Sequence, residues 1–234
     1  MEDYSKKKVL IFSDTHLTCK FNRKWFDEVE PLINNADIVI INGDFWEHIS
    51  CDFSKFIKSK WSKKLFPILK NKTIYLHGNH DPERLMNTHG VILFSREQHK
   101  EFEFKSGKYI FNLEHGDKIV PDFDSDHRIM TAFVEKYLPH FWLWLTRLED
   151  RKNIFGKYFK KYMDRHRVEE TKACRKVAIN NKEKNIIRIF GHIHAPKHNL
   201  EDDFIILGSF KNGNKRYITI ENGEVSFFDK IYKW

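Results

Sequence analysis

Five short motifs in the sequence combine aspartate, asparagine and histidine with glycine or threonine, and each follows a stretch whose pattern predicts a β-strand. They are Asp14-Thr15-His16, Gly43-Asp44, Gly78-Asn79-His80-Asp81, His115-Gly116-Asp117 and Gly191-His192-Ile193-His194. In an open α/β sheet, ligands bind in the crevice beyond the carboxyl ends of the strands. Glycine there allows sharp turns and close approach of the backbone. We therefore expect the five motifs to converge on one site.

Seven side chains in these motifs offer an oxygen or an imidazole nitrogen as a metal ligand, and none offers a thiolate. They are Asp14, His16, Asp44, Asn79, His115, His192 and His194. Such a mixed set suits Mn, Fe, Zn and related divalent ions, with Mn as the first expectation, whereas Ca²⁺ alone would not select four imidazoles. A carboxylate can bridge two ions through its two oxygens, and Asp44 is the candidate bridge. Two ions about 3.5–4 Å apart would hold the attacking and leaving oxygens of an in-line displacement and would supply a bridging hydroxide near neutral pH.

Eight further histidines have no support from a motif. They are His48, His77, His89, His99, His127, His140, His166 and His198. For each of them, a role at the surface or in core packing is the expectation.

The elements that must position these motifs alternate along the first third of the chain. Continuous apolar runs at 8–13, 37–41 and 73–76 predict strands buried on both faces, and the stretches 22–34 and 53–69 have helical character. This alternation implies right-handed crossovers and a parallel sheet. Shorter strands are predicted at 109–113, 186–190, 204–207, 217–220 and 225–228, with a hairpin turn at Asn222-Gly223. The expected fold is one α/β domain over 1–234, a sandwich of two mixed sheets flanked by helices.

Residues 118–184 differ from this pattern and predict a helical insertion that covers the α/β core. They hold 16 Lys and Arg against 10 Asp and Glu, so this segment carries +6 of the net charge of +8. An apolar cluster at 141–145 is expected either to pack between helices or to form a groove or patch that faces acyl chains or a membrane. In the second case Lys157, Lys160, Lys161 and Arg165 would contact phosphate or lipid headgroups. The basic run at 151–182 is equally consistent with a solvated face or a nucleic-acid contact.

The composition places further bounds on function and compartment. A net charge of +8 and a pI of about 9.2 favour anionic partners such as phosphorylated substrates, acidic lipids or nucleic acid. Three scattered cysteines, Cys19, Cys51 and Cys174, predict neither a disulfide framework nor a cysteine zinc site. The first residues lack the pattern of a signal peptide, and no run reaches the 18 or so apolar residues of a membrane span. We expect a cytoplasmic protein, with peripheral membrane contact through the insertion as a further expectation.

In this order, the five motifs resemble those of the calcineurin-like metallophosphoesterase superfamily, over residues 14–194. The resemblance implies one ion held by Asp14, His16, Asp44 and His194. It implies a second ion held by Asp44, Asn79, His115 and His192. It also implies that His80 is the general acid, which protonates the leaving oxygen or stabilises developing charge on the phosphoryl group. Asp81 is then expected to orient His80.

Within this superfamily, the layout is most similar to the UDP-2,3-diacylglucosamine pyrophosphatases. The similarity rests on the chain length, the position of the insertion and the segment Leu207-Gly208-Ser209-Phe210. It implies a nucleotide-linked lipid or related pyrophosphate as substrate, with the insertion as a lid over the acyl chains. His80 stands where several members of that family carry arginine and others histidine. The alternatives are a phosphodiesterase or nuclease that acts on nucleic acid or nucleotides, and a non-catalytic scaffold with a vestigial metal site.

Overall fold

The computed structural model describes residues 1–119, 156–180, 185–194, 196–199, 203–211 and 213–231. Of the side chains in these ranges, those of 88, 156–166, 199 and 231 fall outside the description.

Two six-stranded sheets make up the centre of the described chain. In chain order the strands are β1 Glu2–Asp3, β2 Val9–Phe12, β3 Ile38–Asn42, β4 Thr73–Leu76, β5 Glu97–His99, β6 Glu101–Ser106, β7 Tyr109–Glu114, β8 Ile186–Phe190, β9 Lys197–Asn199, β10 Phe204–Ile206, β11 Asn214–Glu221 and β12 Glu224–Ile231. The first sheet has the order β12-β11-β2-β3-β4-β5 and the second β1-β6-β7-β8-β10-β9. Both contain parallel and antiparallel pairs, so the predicted sandwich of two mixed sheets is confirmed.

Along the chain, most of the helices connect strands of the first sheet. They are α1 Arg23–Asn34, α2 Phe53–Phe56, α3 Lys60–Lys64, α4 Phe66–Leu69, a 3₁₀ turn Glu83–Leu85, α5 Thr88–Val91 and α6 Gly156–Asn180. The Asn22 side chain caps α1 by accepting a hydrogen bond from the Trp25 N–H. The stretch 53–69 forms three short helices instead of one, because Ser59 caps a new start at α3 and Pro67 lies in the first turn of α4.

Alternate residues of β2 enter two different apolar layers. Val9 and Ile11 pack between the sheets, against side chains of the second sheet such as Phe111 and Ile189. Leu10 and Phe12 belong to the layer beneath the helices. Complete burial of one such aliphatic side chain stabilises the fold by about 1.5–3 kcal/mol. This burial on both faces is why β2 reads as a continuous apolar run, and it fixes the strand end that carries Asp14.

The hairpin predicted at Asn222-Gly223 is confirmed. Asn222 and Gly223 have φ values of 50° and 81°, and β11 pairs with β12 up to the pair Glu221 and Glu224. Positive φ at both central residues is the geometry of the tight hairpin turn that follows the right-handed twist of its strands.

The expectation that the cysteines form no disulfide was wrong. Cys19 and Cys51 form a disulfide with their Cα atoms 5.5 Å apart, and Cys174 is free and buried. Cys19 follows β2 and Cys51 follows β3, and these strands are parallel neighbours whose ends meet at the same edge. A separation of 32 residues in the sequence therefore becomes a contact in space.

Replacing Cys19 and Cys51 together with alanine should lower the free energy of unfolding by about 3–4 kcal/mol, because the bridge closes a loop of about 30 residues. Urea unfolding of the oxidised protein and of the variant measures this difference. A thiol reductant should destabilise the wild type to a similar degree and leave the variant unchanged. A wild type indifferent to reductant would contradict the prediction.

Of the predicted insertion, the structure describes Lys118, Ile119 and the helix α6. The second half of α6 packs on the second sheet, where Cys174 and Ala178 contact a cluster that includes Phe190 and Ile193. Residues 141–145, and the side chains of Lys157, Lys160, Lys161 and Arg165, lie outside the described residues. A search of the described helices for one long and apolar enough to cross a membrane found none.

Candidate metal centre

Four of the seven predicted ligands lie in loops with an unusual backbone conformation. Asp14, His16, Asp44 and His192 have φ values of 54°, 45°, 54° and 61°. A non-glycine residue in the left-handed region costs about 1–3 kcal/mol and persists only where its surroundings impose it, most often at a functional site. The loops after β2, β3 and β8 therefore hold their side chains at a conformational cost.

One group of ligand atoms belongs to Asp14, His16 and His194. Their atoms lie within 4.8 Å of one another. His194 Nε2 is 3.5 Å from Asp14 Oδ1 and 3.3 Å from His16 Nε2. Ligands at roughly 2 Å from one ion lie about 3–4 Å apart, so these spacings suit a shared cation.

The second group belongs to Asp44, His115 and His192, whose ligand atoms also lie within 4.8 Å of one another. Asn79 joins it, because its Oδ1 is 3.1 Å from both His115 Nε2 and His192 Nδ1. The structure thus brings all seven predicted ligands into two adjacent groups.

Asp44 connects the two groups through a single oxygen. Its Oδ2 lies 3.7 Å from His16 Nε2 and 3.3 Å from His115 Nε2. Its Oδ1 accepts a hydrogen bond from the His80 N–H at 2.9 Å. The sequence predicted a bridge through both oxygens, whereas the geometry assigns one oxygen to the ligand groups and the other to the backbone.

The electrostatics of the site fit a bound cation. Asp14 and Asp44 are 0% and 1% exposed, and Asp14 Oδ1 has no hydrogen-bond partner among the described atoms. A buried carboxylate oxygen without a partner is costly unless a positive charge compensates it. Burial raises the pKa of Asp14, but the interaction with His194 outweighs burial and lowers this pKa to about 2, so the carboxylate is ionised.

Two imidazoles are oriented by partners behind them. His16 Nδ1 lies 2.9 Å from Glu47 Oε2, and His115 Nδ1 donates to the carbonyl oxygen of Asn42 at 2.8 Å. Such contacts select the tautomer that presents the Nε2 lone pair to a metal. Burial, together with the charge of Lys211, lowers the pKa of His16 to about 4, which keeps this imidazole neutral, as a ligand must be.

The partner of His80 is Glu47, which the sequence did not single out. His80 Nδ1 is 3.0 Å from Glu47 Oε1, and the Glu47 side chain is 4% exposed. Glu47 therefore bridges His16 and His80 with its two oxygens. Its position three residues after Asp44, within the loop at a strand end, was the only available signal.

Asp81, which was expected to orient His80, accepts hydrogen bonds from the backbone of two loops. It is fully buried, and its two oxygens accept hydrogen bonds from the N–H groups of Asp44, Phe45, Trp46 and Gly78, at 2.6–3.3 Å. Four donors converge on this carboxylate because the loops after β3 and β4 meet there. Asp81 therefore fastens these two loops together, and its action on His80 stays a prediction.

Replacing Asp81 with asparagine should lower the free energy of unfolding by about 1–3 kcal/mol, because an amide N–H₂ would then face backbone donors that need an acceptor. Chemical denaturation measures the change. Asp117→Asn, at a half-buried aspartate in another motif, is the control and should have a smaller effect. Equal stability of wild type and Asp81→Asn would show that the loops do not depend on this carboxylate.

Comparison with known proteins gives the family. No curated protein matches the sequence. Similar solved structures include the phosphoesterase YfcE from E. coli, at 15% identity and a TM-score of 0.47 over 94% of this chain and 91% of that one. An archaeal phosphodiesterase has 14% identity and a TM-score of 0.47 over 95% and 99% of the two chains. Wild-type Vps29 from Entamoeba histolytica in complex with Zn²⁺ has 14% identity and a TM-score of 0.45 over 95% and 91%. The family model described as calcineurin-like phosphoesterase matches residues 7–196, and the chain belongs to this family.

Proposed function

We propose that this protein hydrolyses phosphoesters with two divalent ions bound by the seven ligands. The observation that carries the proposal is Asp44 Oδ2, which lies within 3.7 Å of a histidine nitrogen in each ligand group. When bound, two such ions act as Lewis acids on the phosphoryl group and supply the nucleophile for in-line displacement. Mn²⁺ is the first expectation, and Fe and Zn²⁺ are alternatives.

The residues around the ligands have separate tasks in this proposal. His80 is 26% exposed at its side chain and its ring centroid lies 4.7 Å from that of His16, so it lies beside the ligands and in reach of solvent. It donates the proton to the leaving oxygen. Glu47 Oε1 contacts Nδ1 of the His80 ring, so Nε2 is the nitrogen that transfers the proton. The buried carboxylate of Glu47 thereby orients both His80, the proposed acid, and His16, a proposed metal ligand.

Hydrolysis by the metal-loaded protein tests the proposal. Metal-stripped protein should be inactive toward bis(4-nitrophenyl) phosphate, and addition of Mn²⁺ should restore activity. Metal analysis of the active form should give two equivalents per chain. Full activity after removal of the metals would overturn the proposal, and one equivalent in the active form would overturn the two-ion centre.

For the substrate, we infer a nucleotide-linked lipid or related pyrophosphate, with a phosphodiester of nucleic acid or nucleotides as the alternative. The support is the position of α6. Its residues Cys174 and Ala178 belong to the same buried apolar cluster as Ile193, the residue between the proposed ligands His192 and His194. The insertion therefore extends from a point beside the proposed centre, and its net charge of +6 suits an anionic substrate.

Replacing Lys160, Lys161 and Arg165 with alanine should reduce kcat/KM for the natural substrate about tenfold and spare a small diester, because contacts remote from the reacting group favour large substrates. The probes are UDP-2,3-diacylglucosamine, a single-stranded oligonucleotide and bis(4-nitrophenyl) phosphate. Alanine at the exposed Lys58, Lys63 and Lys64 is the charge-matched control. A selective loss on one large substrate identifies its class. An equal loss on all three would instead assign the cations a structural role.

A further inference from the structure

A second cluster of metal-ligating groups lies next to the proposed centre. It consists of Glu47, His48 and His80, none of which is among the seven ligands. One ligand atom from each residue lies within 4.8 Å of the other two. Two imidazoles and one carboxylate are also the protein ligands of a familiar type of zinc site that keeps a fourth position open.

The orientation of His48 is the first argument that this cluster binds a cation. His48 Nδ1 lies 2.6 Å from the carbonyl oxygen of His80. Because a carbonyl only accepts, Nδ1 carries the proton, and the lone pair of the neutral ring is on Nε2. A histidine that binds a metal usually donates its other N–H to a carbonyl or a carboxylate in this way. His115, whose Nδ1 donates to the Asn42 carbonyl oxygen, has the same arrangement in the main centre.

The spacing of the other two ligands is the second argument. Glu47 Oε1 and His80 Nδ1 are 3.0 Å apart. Two ligands at about 2.0–2.2 Å from one zinc ion are separated by roughly 3.0–3.5 Å, so an ion fits where the pair now shares a proton. Glu47 meets His16 through its other oxygen, Oε2, at 2.9 Å. An ion on Oε1 therefore leaves the contact with His16 in place.

We propose that Glu47, His48 and His80 form an accessory cation site that binds Zn²⁺, beside the seven-ligand centre and without any of its seven ligands. Zn²⁺ is the ion that best suits two imidazoles and one carboxylate. The site accounts for His48, to which no sequence motif assigns a role. The proposal does not depend on the number of ions in the main centre or on hydrolytic activity.

The difference in zinc stoichiometry between wild type and His48→Asn tests the site. Asparagine places its Nδ2–H₂ near the position of Nδ1, so it keeps the hydrogen bond to the His80 carbonyl and removes only Nε2. Metal-stripped protein is titrated with Zn²⁺ in competition with a chromophoric chelator. We expect wild type to bind one equivalent more than His48→Asn. His99→Asn is the control, because His99 also faces a carboxylate, Glu97, at 3.1 Å but belongs to no three-residue group within the described chain.

The outcomes separate this site from the main centre. Equal stoichiometry in wild type and His48→Asn would overturn the proposal, and so would a loss of all bound zinc, which would mean that His48 supports the main centre. If the variant does not fold, anomalous diffraction at the zinc edge from wild-type crystals grown with excess Zn²⁺ decides the question. A peak within bonding distance of Glu47 Oε1 and His48 Nε2 is expected, and its absence there would overturn the assignment.

Discussion

Replacing Asp44 with asparagine should lower kcat/KM by roughly three orders of magnitude and weaken the binding of both ions. Asparagine keeps an oxygen that can accept the His80 N–H but places an uncharged amide where Oδ2 faces His16 and His115. The loss is expected because the amide has no charge with which to hold either ion, and three orders of magnitude correspond to about 4 kcal/mol of transition-state stabilisation at 1.36 kcal/mol per factor of ten. Metal analysis after gel filtration and steady-state kinetics measure the two effects.

The number of ions lost from this variant is the informative quantity. Loss of both equivalents agrees with a bridging Asp44, whereas retention of one would assign Asp44 to a single ion. Asp52→Asn, at an exposed aspartate in the same β3–α2 loop, is the control and should behave as wild type. Normal metal content and normal turnover in Asp44→Asn would exclude Asp44 from the centre.

The sequence predicted that the seven candidate ligands converge, because each motif directly follows a strand. A strand buried on both faces is visible as an apolar run, and the ends of parallel neighbours must meet. Val9–Phe12, Ile38–Asn42 and Thr73–Leu76 are such runs, and they position Asp14, Asp44 and Asn79. The family follows from the order of the motifs, and the match over 7–196 agrees with it.

The contacts that the sequence did not reveal depend on the paths of loops. Glu47 reaches both His16 and His80 because the loop after β3 turns back, with the Glu47 N–H donating to the Leu17 carbonyl oxygen. The same loop brings Cys51 to Cys19. No periodic pattern in the sequence indicates either contact. The four backbone donors of Asp81 were likewise not visible in the sequence, because they come from two different loops.

The short strands Glu2–Asp3 and Lys197–Asn199 were also missed, because both lie at sheet edges and are polar. Edge strands need little apolar surface, so the hydrophobic pattern that predicts central strands is absent there.

Replacing His80 with alanine should lower kcat about a hundredfold with the Mn²⁺ content of the two-ion centre unchanged, because a positioned general acid contributes about 10²–10⁴-fold and His80 is not among the seven ligands of that centre. The loss should be larger for a diester with an alkoxide leaving group than for one with 4-nitrophenolate, since a poor leaving group depends more on protonation. Kinetics on both diesters at saturating Mn²⁺ measure this difference. Equal losses on the two diesters would argue that His80 binds the phosphoryl group instead.

Glu47→Gln then shows through which partner Glu47 acts. Glutamine retains the size of the side chain but cannot accept from both His16 and His80 with a full negative charge. If Glu47 acts by positioning His80, Glu47→Gln should lower kcat about tenfold alone and have little further effect in the His80→Ala background, since residues that act as a unit are non-additive. If the two losses multiply at saturating Mn²⁺, Glu47 acts through His16 and the metal centre. A change in Mn²⁺ affinity without a change in kcat would lead to the same conclusion. Glu47 would then orient the metal ligand His16 and not the acid His80.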